Sequence, residues 1–211
     1  MAPSLTLYVD ADFLSPYAMS AFVALTEKGQ TFEIRLVDLA AGEQRMQPYQ
    51  HRAPTCRIPA LTHDGFHLSE SSAITEYLEE LYAPPEHIAL YPADRQQRAR
   101  ARQLQAWLRS DLAALRAERP TEHVFHAPLG TALTDPAQAA ANKLVRVAGL
   151  LLVPGQTDLF GQWSIADTEL AVMLKRLAGD ELPDWLRDYA DAQWQRPSVQ
   201  TWLEHNRNAR G

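Results

Sequence analysis

Hydrophobic and polar positions repeat along this chain at two different periods, and the change between them falls near residue 82. Leu5, Leu7 and Val9 alternate with Thr6, Tyr8 and Asp10, the period-two signature of a strand. Ser15-Pro16 then opens a helix, with Ser suited to the N-cap and Pro to the first helical position. Met19, Phe22 and Val23, with Leu25 or Thr26, recur at helical spacing until Gly29, a C-terminal stop. Phe32 to Leu39 predicts a second strand, and residues 41–50, without a clear period, are read as a short irregular helix. Ile58-Pro59-Ala60-Leu61 and Phe66-His67-Leu68 flank Asp64-Gly65, which predicts a hairpin, and a helix follows over 71–81.

The first part therefore reads β-α-β-α-β-β-α, an α/β order that resembles the thioredoxin-like fold. Tyr82-Ala-Pro-Pro-Glu interrupts it, since paired prolines lack N–H donors and resist helix. We expect a first domain over 1–82, a linker over 83–93 and an all-α second domain over 94–211. In the second part the spacing predicts helices over 94–118, ended by Pro120, and over 135–153. Ser164-Ile-Ala-Asp167 reads as a capping box opening a helix to Leu177, and two more cover 184–194 and 198–205.

Composition narrows the function classes. Apolar residues are 46% and charged residues 22%, enough apolar surface to offset ordering entropy. One cysteine excludes an intrachain disulfide framework and a cysteine-based zinc cluster. The net charge of −6 argues against bulk nucleic-acid binding, and it is uneven: residues 1–80 hold eleven acids and five bases, the rest fifteen of each. All five tryptophans lie beyond residue 82. The opening residues lack the basic and apolar regions of a signal peptide, and no apolar run nears the roughly 18 residues of a membrane span. A soluble cytoplasmic protein, without nucleic-acid or membrane partners, is the expectation.

Three segments carry candidate chemistry. Leu14-Ser15-Pro16-Tyr17-Ala18 follows the first strand, where a helix N-terminus offers N–H groups and a positive dipole end to an anion. Thiol-disulfide proteins of this fold carry two cysteines at this turn; Ser15 and Ala18 stand there, so redox exchange by that motif is excluded. The Ser15 hydroxyl can cap the helix and still donate to a bound thiolate. Arg57-Ile58-Pro59-Ala60-Leu61 places a proline at the start of a strand. Leu68-Ser69-Glu70-Ser71-Ser72-Ala73-Ile74 joins a strand to a helix N-terminus, where Ser71 suits a carboxylate and Glu70 an ammonium, the two charges of an amino-acid headgroup.

Taken in order, these segments resemble the cytosolic glutathione transferase family over essentially the whole chain. Phe13-Leu-Ser-Pro-Tyr, Leu68-Ser-Glu-Ser-Ser-Ala-Ile, Arg98-Ala-Arg-Ala-Arg and Ala106-Trp-Leu-Arg-Ser-Asp are similar to bacterial transferases of the YfcF type. The resemblance implies a homodimer that uses glutathione as co-substrate, without a metal, on small electrophiles, in detoxification and with peroxidase side activity. It implies Ser15 as the catalytic residue at the glutathione sulfur. Ile58, before a cis Pro59, would pair by backbone with the cysteinyl unit, while Glu70 and Ser71 hold the γ-glutamyl headgroup. Arg57, then Gln44, Arg45 and His51, are the candidates for the glycine carboxylate. Leu14, Tyr17 and Trp107 are candidates for the second-substrate pocket. Tyr8 is a weaker alternative to Ser15. His123-x-x-His126 is read as a surface loop, and Cys56 as incidental. A non-catalytic binding protein that keeps the fold is the competing expectation.

Overall fold

The computed structural model describes residues 4–127, 130–177 and 181–210. It forms two compact units, one running through Leu90 and taking in the chain from Ser198 onward, the other Tyr91–Pro197.

The first unit is built on a four-stranded mixed sheet: β1 (Leu5–Asp10), β2 (Glu33–Val37), β3 (Ala60–His63) and β4 (Phe66–Ser69), in the order β2-β1-β3-β4. β1 pairs parallel with β2, while β1–β3 and β3–β4 are antiparallel. The parallel pair needs a crossover, and helix α1 (Pro16–Glu27) supplies it. α1 packs against α3 (Ser71–Leu81), and both touch the sheet. Elsewhere in the unit Tyr8, Val37, Tyr49, Ala53, Ile58 and Ala60 form a smaller apolar cluster. Tyr49 belongs to the four-residue helix α2 (Gln47–Gln50), which a 3₁₀ turn at Glu43–Arg45 precedes; the ambiguous stretch 41–50 thus splits in two.

The second unit is helical: α4 (Arg95–Ser110), α5 (Ala113–Glu118), α6 (Thr121–Phe125), α7 (Asp135–Leu151), α8 (Ile165–Leu174) and α9 (Asp184–Trp194). α8 is buried at every position, as expected of a helix enclosed by others; α4 and α9 pack on it, and α5 packs on α7. The final helix α10 (Pro197–Asn208) groups almost wholly with the first unit.

Two expectations need correction. The helix expected over 94–118 breaks at Asp111–Leu112, where Leu112 takes a left-handed backbone, φ 61°. The Asp111 carboxylate accepts the Leu112 N–H (2.7 Å) and the Trp107 indole N–H (2.9 Å), and Arg116 donates to the Leu108 carbonyl (2.9 Å). Side chains thus satisfy groups that a continued helix would have satisfied by itself. His123 is not on a surface loop: it is buried in α6, which begins directly after Pro120. The capping box is present, and buried Asp167 accepts from Ser164 N and Oγ (2.8 Å each), Leu159 N (2.7 Å) and the Tyr189 hydroxyl (2.8 Å). No helix among the described residues is long and apolar enough to cross a membrane.

Candidate active site

Ser15 sits where β1 hands the chain to α1. It is the N-cap, with extended backbone, and its Oγ accepts the Ala18 N–H at 3.2 Å. The expectation of freely available N–H groups at this helix end is revised by its neighbours. Buried Asp10 closes β1, and its carboxylate accepts from Leu14 N (2.5 Å) and from Ser15 N (3.2 Å to each oxygen). Pro16 has no N–H to give. The amides of Leu14, Ser15 and Ala18 are therefore engaged. The Ser15 hydroxyl spends an acceptor lone pair on Ala18 and keeps its hydrogen as a donor. Burial pushes the Asp10 carboxyl up from the ordinary carboxylate range, against the pull of the Leu14 and Ser15 N–H groups.

Cys56 and Glu70 both take positive φ, 53° and 72°, in the segment that precedes β3 and the residue that follows β4. The Ile58–Pro59 bond is cis, and ladder pairing of β3 begins at Ala60, beyond it. Tyr49 donates its hydroxyl to the Arg57 carbonyl at 2.7 Å, anchoring the residue before Ile58. Burial first, and the neighbouring Tyr8 second, raise the Tyr49 phenol well above its ordinary value, so it stays a donor. Thr55 donates to the Glu70 carboxylate at 3.2 Å, which brings the segment before Pro59 to the N-terminus of α3. Glu70 is the N-cap residue of that helix, and buried Ser71 is its first helical residue.

The remaining candidates fall in separate places. The Arg57 side chain is exposed and Ile58 half-buried. Leu14 is half-buried beside Asp10, and Tyr17 is exposed on the first turn of α1. Tyr8 packs edge-on against Tyr49, centroids 5.9 Å apart, with the Arg52 guanidinium over its ring. Trp107 belongs to the second unit, where with Arg100, Gln103, Leu104, Val147, Leu150 and Leu151 it lines a groove of about 510 Å³ between α4 and α7. No cluster of three metal-binding side chains occurs among the described residues.

Asp10, Tyr49 and Thr55 are the supporting residues that sequence patterning missed. Only Asp10 carried a local signal, an acid at a strand end five residues before a helix cap.

This arrangement presents one hydroxyl donor at a helix N-terminus, a backbone edge before a cis proline, and a carboxylate beside a helix N-terminus. A family model described as glutathione S-transferase, N-terminal domain, matches residues 14–81, and one described as glutathione S-transferase, C-terminal domain, matches 94–207. A crystal structure of a glutathione transferase homologue from Burkholderia gl BGR1, with bound glutathione, is 47% identical, covers 97% of this chain and 99% of its own, and superposes with a TM-score of 0.82. Mouse glutathione S-transferase theta-3 is 27% identical over 168 residues, 80% of this chain and 68% of that one. Human glutathione S-transferase theta-1 is 35% identical over 108 residues, 51% of this chain and 43% of its own length, so that match spans under half of the human protein.

Proposed function

The chain belongs to the glutathione S-transferase family, and from that premise we propose that it activates the thiol of glutathione for conjugation to small electrophiles and reduction of hydroperoxides. One observation carries the reading: the Ser15 hydroxyl keeps a donor at the end of α1 while the adjacent amides are engaged by Asp10 and by Ser15 itself.

A free thiol with a pKa near 8.5 is only about 3% thiolate at pH 7. Lowering that pKa by about two units asks for about 2.7 kcal/mol, within reach of a charge-assisted hydrogen bond together with a helix dipole. The thiol proton leaves to solvent, and the Ser15 O–H donates to the sulfur anion. The sulfur lone pair then forms the S–C bond as the leaving group departs with its electron pair. Positioning is the other contribution of the protein. In this reading the Ile58 backbone pairs with the cysteinyl unit, Glu70 takes the γ-glutamyl ammonium, and the N-terminal end of α3 at Ser71 takes its carboxylate. Exposed Arg57, fixed through its carbonyl by Tyr49, serves the glycine carboxylate. Leu14 and Tyr17 serve the second-substrate wall. The chemistry supports a cytoplasmic enzyme, where glutathione is reduced.

The partner chain in this reading is a second copy. The α4–α7 groove, with its exposed Leu150, 73% accessible, offers an apolar face for it. A monomer in sedimentation at micromolar concentration would remove the dimer from the proposal. Retention on immobilised glutathione, followed by a chlorodinitrobenzene conjugation assay, tests the activity. Retention without turnover would favour a non-catalytic binding protein, and failure to bind glutathione would end both readings.

A further inference from the structure

The loop that delivers Ser15 is held by the far end of the chain. Asn206 of α10, buried to 1% exposure, donates through Nδ2 to two consecutive loop carbonyls, Asp12 O at 2.9 Å and Phe13 O at 3.4 Å. The next residue back, His205, stacks on the Phe13 ring with centroids 5.0 Å apart and planes 11° off parallel, and Trp202 meets the same ring edge-on at 5.0 Å. Phe13 adopts φ 52°, a left-handed backbone disfavoured for a residue with a Cβ, so it persists only where its surroundings fix it. The other side of the loop is tied inward: Phe13 N–H donates to Asp10 O at 3.2 Å, and Leu14 and Ser15 N–H donate to the Asp10 carboxylate. The donors of the loop are thus gathered by Asp10 and its carbonyls by Asn206.

We propose that Asn206 is a positioning residue for the reaction, holding the Asp12 and Phe13 carbonyls so that the Ser15 hydroxyl is aimed at the glutathione sulfur. The inference rests on the reading of Ser15 as the donor to the thiolate. An amide suits the task because one nitrogen carries two N–H donors and can serve two adjacent carbonyls; a carboxylate would repel both, and an alkyl chain would leave both unpaired. Without the clamp Phe13 can relax towards negative φ, and the residue two positions on moves with it. A misplacement near 1 Å costs up to about 100-fold in rate.

The test uses the full chain with glutathione and chlorodinitrobenzene, in Asn206→Leu, Asn206→Ser, Ser15→Ala and the double variant Ser15→Ala/Asn206→Leu. Thiolate absorbance is titrated in each glutathione complex, and melting confirms folding; if the leucine variant does not fold, the smaller serine decides. The expected result is a fall in kcat of roughly 10-fold with the KM for glutathione little changed, and a higher thiol pKa. In the Ser15→Ala background Asn206→Leu adds no further rise in that pKa, because the group it positions is gone. An unchanged pH profile and kcat in a folded Asn206 variant would overturn the proposal, as would an equal loss in both backgrounds. If Ser15→Ala itself leaves the thiol pKa unmoved, the reading of Ser15 falls and this inference with it. If Ser15→Ala moves it and Asn206→Leu does not, only the inference falls.

Discussion

Thr55 donates a hydrogen bond to the Glu70 carboxylate at 3.2 Å, joining the segment before cis Pro59 to the residue that opens α3. Glu70 holds φ 72°, a backbone that costs a non-glycine residue of order 1–3 kcal/mol. Stability alone would favour glycine there. Glu70→Gly is therefore expected to leave the melting temperature unchanged or raised, while glutathione binding weakens by about 10- to 100-fold, the worth of a hydrogen bond to a charged group. Calorimetric titration beside a thermal melt checks both halves. A variant that binds glutathione normally would remove Glu70 from the headgroup site.

Ser15→Ala separates binding from activation. It leaves Glu70, Ser71 and the α1 dipole in place, so glutathione affinity should change little. Conjugation should fall by roughly 10- to 100-fold, about 1.4–2.7 kcal/mol of lost stabilisation, and the thiolate should titrate at higher pH. The same change removes the acceptor of the Ala18 N–H, so about 1 kcal/mol of cap stability goes with it and melting must be checked at the assay temperature. Full activity with an unchanged pH profile would leave Ser15 as a cap alone.

Strand and helix order in the first unit was legible because period and cap chemistry are local. Leu5, Leu7 and Val9 announce β1 and Ser15-Pro16 announces α1; in the second unit, Ser164 with Asp167 announces α8 for the same reason. What was not legible depends on partners distant in sequence. The break at Leu112 is held in part from α7, whose Lys143 pairs with the Asp111 carboxylate. α6 is too short for periodicity to report it. In the candidate site, Ser15 could be singled out from its own turn, but nothing near Asn206 or Tyr49 in sequence signals that one holds the Phe13 carbonyl and the other the Arg57 carbonyl. Hydrophobic pattern assigns a residue to a face and leaves the polar partner across that face unstated.

Lys28 and Glu79 form a buried ion pair at 2.6 Å, both almost fully enclosed, between the end of α1 and α3. Each also serves the backbone: Lys28 Nζ donates to Tyr82 O at 2.7 Å, and Glu79 accepts Leu90 N at 2.9 Å. Glu79→Leu strands a buried ammonium and should destabilise by about 3–5 kcal/mol. Replacing both residues with Met and Leu often rescues an isolated buried pair. Here it leaves the Tyr82 carbonyl and the Leu90 N–H unpaired, each costing about 1–3 kcal/mol, so rescue should be incomplete. Denaturant titration of the two variants checks this; a double variant as stable as the parent would show that the pair does not hold the segment from Tyr82 to Leu90.

Acid should loosen the second unit at the α4–α5 break only below the pH range in which ordinary exposed carboxylates titrate. The Lys143 ammonium, then the Leu112 N–H and the Trp107 indole N–H, hold the Asp111 carboxyl down at about 2, against 3.8 ordinarily. A folded-state pKa below the unfolded one means that the ionised form stabilises the fold. That contribution is complete above pH 3.8 and is lost as pH falls through about 2. Trp107 lies against Asp111, so its fluorescence reports the event locally. Asp111→Asn keeps one acceptor oxygen where the Leu112 and indole N–H groups use two, and it removes the charge partner of Lys143. The variant should therefore melt lower than the parent at neutral pH, and the difference between the two should shrink as the pH is taken from about 4 to 2. A gap that stays constant across that window would mean the Asp111 carboxylate contributes nothing through its charge.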